Sequence, residues 1–117
     1  MNDFSVKHVC AENLNWQKVD VYGAAIDKAA VFEGDYGIRS AFFRMSAGCT
    51  IPAHKHTKWV QVMVLEGCMV VTQDGAEPFR ARSGSVYFVN PGFAHVETAE
   101  VESLLLVTQG EDRQGWL

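Results

Sequence analysis

Hydrophobic positions from residue 38 onward fall into short runs, each cut by glycine, proline, asparagine or a Ser-Gly pair. They predict strands at Ile38–Met45, which ends at Ser46-Ala47-Gly48, and at residues 58–65, a run rich in β-branched side chains and closed by Glu66-Gly67. Residues 68–73 then pair with Phe79–Arg82 across Asp74-Gly75, a turn dipeptide whose two positions both tolerate positive φ. Further strands follow at residues 85–89, 95–98 and 103–108, separated by Asn90-Pro91-Gly92 and by a polar stretch. Residues 23–33 are ambiguous: Ala24, Ala25, Ala29 and Ala30 favour helix, but the expectation is a strand. Strands at this spacing, with tight turns between them, predict an all-β fold, an antiparallel sandwich or barrel.

Histidines stand at two of these strand ends. His54 and His56 flank Lys55, and in extended chain alternate side chains share a face, so both imidazoles can aim at one point. His95, on a neighbouring strand after Asn90-Pro91-Gly92-Phe93-Ala94, can close a three-nitrogen metal site. His8 belongs to no such constellation and is expected at the surface.

Composition narrows the class. At 117 residues, 48% hydrophobic and 21% charged, the chain suits a single globular domain, residues 1–117. No apolar run reaches the roughly 20 residues of a membrane helix. A net charge of -4 with scattered basic residues gives nucleic acid little to bind. Met1-Asn2-Asp3-Phe4-Ser5 opens with an acid where a secretory signal would carry lysine, so the expected compartment is the cytoplasm. Three cysteines, Cys10, Cys49 and Cys68, are expected to be reduced thiols.

The residues also resemble a known superfamily. Gly48, His54-Lys55-His56 and Val64-Leu65-Glu66-Gly67 look like the first cupin motif, and Gly84, Asn90-Pro91-Gly92 and His95 look like the second. The resemblance implies a small single-domain cupin, a double-stranded β-helix or jelly-roll barrel with its core at about residues 36–110, holding one divalent metal ion on His54, His56 and His95. Asn90 stands where the family usually has proline and Ala99 where it usually has asparagine. More consequential is Val60, at the place where most cupins carry a glutamate ligand. Gln61 lies one residue on, and a one-residue offset turns a side chain to the other face, so it ligates only through a bulge. A three-histidine site is therefore expected, similar to the dioxygenase cupins that act on β-diketones and hydroxyacetophenones.

Three neutral imidazoles leave an ion its charge and open positions, which favours anionic, chelating substrates. Iron(II) is favoured by the likeness, while zinc, nickel, manganese or copper would also accept such ligands. The expected function is a mononuclear dioxygenase acting on a small diketone, hydroxyketone or keto acid; the alternatives are a metal-dependent isomerase or lyase, or a ligand-binding sensor. Glu97, on the face of His95, is placed to orient a histidine or to serve as acid or base, although a strand-end carboxylate is ordinarily solvated. Trp59, Phe42, Phe43, Met63, Tyr87 and Phe88 divide between core and pocket wall, and one of Arg39, Arg44, Arg80 and Arg82 could grip a substrate carboxylate. The family likeness and the apolar start at Phe4, Val6 and Val9 predict a homodimer.

Overall fold

The computed structural model describes residues 6–33 and 36–110. Ten strands follow a short 3-10 turn at Ala11–Asn13: β1 (Gln17–Val21), β2 (Ala24–Glu33), β3 (Ile38–Met45), β4 (Thr50–His54), β5 (Val60–Glu66), β6 (Cys68–Thr72), β7 (Phe79–Arg82), β8 (Val86–Val89), β9 (His95–Ala99) and β10 (Ser103–Gly110). They form a six-stranded sheet, ordered β1-β2-β3-β10-β5-β8, and a four-stranded sheet, ordered β4-β9-β6-β7. Every pairing is antiparallel, as the jelly-roll reading requires.

The alanine-rich stretch is strand β2, because its backbone pairs with β1 on one side and β3 on the other, and that pairing outweighs the helix preference of alanine. Two strands ahead of residue 36 thus extend the large sheet. A tight two-residue turn forms at Tyr22-Gly23, between paired Val21 and Ala24, with φ of 51° and 94°. Asp74-Gly75 belongs instead to a longer connection between Thr72 and Phe79, in which Gly75 but not Asp74 takes positive φ. The strands on either side pair as expected, Cys68 with Arg82 through Val71 with Phe79.

The sheets close over a core of Ile26, Met45, Val64 and Met69, each at most 1% exposed. In β5 the alternation is clean: Val60, Val62 and Val64 are buried while Gln61 and Met63 face out. β4 departs from alternation. Ile51 pairs with Glu97 and His54 with His95, so three residues of β4 span two of β9, and this bulge turns both Ile51 and His54 inward. Pro52 lies inside it, where the lack of an N–H removes nothing from the ladder. Among the described residues no helix is long and apolar enough to cross a membrane.

Candidate metal centre

His54 and His95 are cross-strand partners at the inner face of the small sheet, with ring centroids 4.2 Å apart. His56 follows β4 rather than lying in it, and its carbonyl accepts the Gly92 N–H at 2.9 Å, which ties the first histidine pair to the Pro-Gly turn before His95. Together the three residues bring their ligating nitrogens within 4.8 Å of one another. His54 is 7% exposed and His95 5%. The expected trio is thus assembled, by a bulge and a turn as much as by simple alternation.

Backbone carbonyls fix the ring orientations. His54 donates through Nδ1–H to the Pro52 carbonyl at 2.7 Å, and His95 Nδ1 faces the Phe93 carbonyl at 3.3 Å. Nε2 of each ring is left to face inward, the arrangement that metal-binding histidines use to hold a lone pair on the ion. Burial pushes His56 below the ordinary histidine value, helped by repulsion from His54 and His95, and a neutral imidazole is the form that ligates.

Glu97 is where the sequence reading needs correction. It is 6% exposed, inside the barrel and not solvated. Its Oε1 lies 3.4 Å from His54 Nε2 and 3.2 Å from His95 Nε2, and its Oε2 accepts the Tyr87 hydroxyl at 2.5 Å. Burial alone would raise this carboxyl, but hydrogen bonds from His54, His95 and Tyr87 outweigh it and bring the pKa down to about 2. The same contacts act on the partners: burial and the Glu97 charge push the Tyr87 phenol up, and for His95 the Glu97 hydrogen bond overcomes the burial that would lower it. A negative charge held this deep calls for a cation beside it, and the three convergent imidazoles suit a divalent transition metal.

Gln61 is not brought to the site. It is exposed and pairs with Phe88 and Thr108 in an unbroken register through Val60, Gln61 and Val62, so no bulge turns it inward. Val60, 5% exposed, faces the histidine cluster as an apolar wall. Beside the histidines a cavity of about 70 Å³ is lined by Val60, Val62, Phe43, Ile26, Leu105 and Val107 among others. His56 and Gln109 separate it from an outer pocket of about 230 Å³ that also carries Arg39, Lys55 and Lys58.

The remaining sequence candidates sort by face. Phe43 lines the cavity and Tyr87 holds Glu97, whereas Met63 and Phe88 point outward. Trp59 stacks on Phe88 at 5.8 Å. Arg44 pairs with Asp27 at 3.1 Å and lies over Trp16, and Arg80 pairs with Glu100 at 2.7 Å, so neither reaches the cavity. His8 is exposed. Tyr22 is the residue that sequence reasoning missed: its ring stacks on His54 at 4.4 Å, carried there by the Tyr22-Gly23 turn.

The motif glycines, the barrel and the histidine trio agree with a family model for the ChrR cupin-like domain, which matches residues 5–112. The chain belongs to that cupin family. Solved structures of cupins share the fold. The polyketide cyclase RemF from Streptomyces resistomycificus superposes with a TM-score of 0.81 at 21% identity, over 93% of this chain and 82% of that one. An RmlC-like cupin from Shewanella frigidimarina gives 0.75 at 18%, over 94% and 95%, and KdgF from Halomonas sp. gives 0.73 at 21%, over 92% and 96%. At such identities the likeness is one of fold alone. Among curated proteins none matches this cupin in sequence.

Proposed function

We propose that this cupin holds one divalent ion, iron(II) in the working protein, on His54, His56 and His95, and acts as a dioxygenase on a small substrate that chelates as an anion. Diketones, hydroxyketones and keto acids are the substrate classes of that description. The observation that carries the reading is the pairing of three convergent imidazoles with a small aliphatic cavity that meets a cation-bearing outer pocket. A bound iron(II) ion would supply Lewis acidity and an electron source for oxygen. The chain's own residues do the rest. Arg39, Lys55 and Lys58 favour the arrival of an anion. Val60, Val62, Phe43 and Leu105 exclude water and accept an apolar remainder of a few carbons, while the hydroxyls of a sugar would lose their hydrogen bonds there. Nδ1 contacts to Pro52 and Phe93 keep two imidazoles aimed at the ion.

A metal-dependent isomerase or lyase is the second reading, favoured by the buried Glu97 carboxylate as a group that could carry a substrate proton. Anaerobic iron loading separates the two. The substrate classes named above should perturb the iron spectrum before oxygen is admitted, and oxygen should be consumed afterwards. If none of them binds and no oxygen is consumed, the oxygenase reading falls.

We further propose a cytoplasmic homodimer. Cys10, Cys49 and Cys68 are all unpaired, in keeping with a reducing compartment. Met63 with Val86, and Gln61 with Phe88, are opposed pairs on the outer face of β5 and the edge strand β8, and Met63, Val86 and Phe88 are 37%, 49% and 52% exposed. A second copy covering this edge would protect it. Of the apolar N-terminal residues, Val6 is exposed and Phe4 lies outside the described residues.

A further inference from the structure

We propose that Glu97 is a fourth ligand of the metal ion, coordinating through Oε1 from β9 in place of the carboxylate that β5 lacks at Val60; the inference rests on the three-histidine centre proposed above. Distance is the first support. Two ligand atoms each about 2.1 Å from an ion and about 90–110° apart lie roughly 3.0–3.4 Å from one another. Glu97 Oε1 is 3.2 Å from His95 Nε2 and 3.4 Å from His54 Nε2, the spacing of neighbouring ligands around one ion.

Proton bookkeeping gives the second. Because the backbone carbonyls of Pro52 and Phe93 occupy the Nδ1 side of the two rings, each imidazole can hydrogen-bond to Glu97 through Nε2 only by carrying a second proton. A metal ion between the two Nε2 atoms and Oε1 takes the place of those protons and supplies the positive charge that the buried carboxylate needs. The third support is the division of labour between the carboxylate oxygens. Tyr87, 8% exposed, donates to Oε2 and thereby holds the carboxylate rotamer, leaving Oε1 as the oxygen directed at the histidines.

β5 and β9 reach the centre from different sheets. A carboxylate on β9 would therefore approach the ion from a different side than one at Val60, where the cavity wall is apolar. The ion then carries a single net positive charge, which one anionic oxygen of a substrate neutralises in a low-dielectric site. With Oε2 bonded by Tyr87 and Oε1 on the ion, the Glu97 carboxylate is a weaker base, so ligation works against an acid-base role.

The test uses the full chain, with zinc and cobalt(II) as probes. A crystal structure or X-ray absorption spectrum of the zinc-loaded wild-type protein should place a Glu97 oxygen at about 2.0–2.2 Å from the ion. Glu97→Gln, which keeps an oxygen for Tyr87 to bond, should weaken zinc binding by about 100-fold or more, beyond the roughly 10–100-fold typical of an outer partner, and should alter the cobalt(II) absorption spectrum. Tyr87→Phe should weaken binding less and leave the cobalt ligand set unchanged. Adding Val60→Glu to Glu97→Gln should restore affinity by returning a carboxylate from the β5 side. A Glu97 oxygen beyond about 3 Å in the loaded protein, or an unchanged cobalt spectrum in Glu97→Gln, overturns the inference and leaves the three-histidine centre standing. Failure of the wild-type protein to bind either metal overturns both.

Discussion

Replacing Gly67 with alanine should remove a large part of this protein's stability, and the structure says why. Gly67 joins β5 to β6 with φ of 99°, and a Cβ there would meet the Ser103 hydroxyl, the Glu102 carbonyl at 2.6 Å and Ser103 Cα at 2.7 Å. Two of those neighbours are backbone and cannot swing aside. Ser103, 1% exposed, accepts the Cys68 N–H at 3.1 Å and donates to the Val101 carbonyl at 2.9 Å, so displacing it also breaks buried hydrogen bonds. Positive φ costs alanine about 1–2 kcal/mol, of which the stiffer unfolded chain returns about 0.4–1 kcal/mol. Overpacking contributes about 1–3 kcal/mol and an unsatisfied buried donor a similar amount. The expected loss is about 2–8 kcal/mol against a total of roughly 5–15 kcal/mol for a domain. Gly48→Ala is the matched comparison, with φ of 84° and nothing within 4 Å of the added carbon, and should cost only about 1 kcal/mol. Urea unfolding of both variants, followed by fluorescence and circular dichroism, measures the difference directly. If Gly67→Ala falls within about 1 kcal/mol of Gly48→Ala, the close approach of β5–β6 to β10 does not carry the energy assigned to it.

Other substitutions probe the site and the surface. His95→Ala should lose its metal on dialysis under conditions in which the wild type keeps one equivalent, and Gln61→Ala should keep it; elemental analysis showing stoichiometric metal in His95→Ala would sink the three-histidine centre. Val60→Ala removes two methyl groups from the cavity wall, worth about 1.5–3 kcal/mol with the enlarged cavity counted, and should admit substrates a carbon or two longer; unchanged stability in urea would contradict its buried place. Met63→Lys with Phe88→Lys should leave a monomer where the wild type sediments at twice the 13.0 kDa chain mass; a wild-type monomer at micromolar concentration refutes the dimer.

Local order was legible in the chain because a strand repeats every two residues and a turn needs particular side chains. The bounds of β3 and β7, and nearly those of β6, follow from hydrophobic runs between glycines, and the motif spacing that marks the cupin superfamily places the three histidines. The same two-residue rule separates Val60 from Gln61 and puts the apolar residue inside, since the register of β5 is unbroken from Val60 to Val64. What the rule cannot supply is the partner across the barrel. Glu97 shares the face of His95 on any reading, but whether that face looks into solvent or into a closed cavity depends on its neighbours β4 and β6 and on β8 of the facing sheet. Tyr87 meets Glu97 only because strands from the two sheets converge there. The β4 bulge that turns both Ile51 and His54 inward is likewise set by pairing with β9, and the Tyr22 ring reaches His54 from a hairpin that no motif covers. Alternation is a property of a strand, whereas burial, the carboxylate's charge partners and the shape of the cavity belong to the packed sheets, and long-range pairing alone decides them.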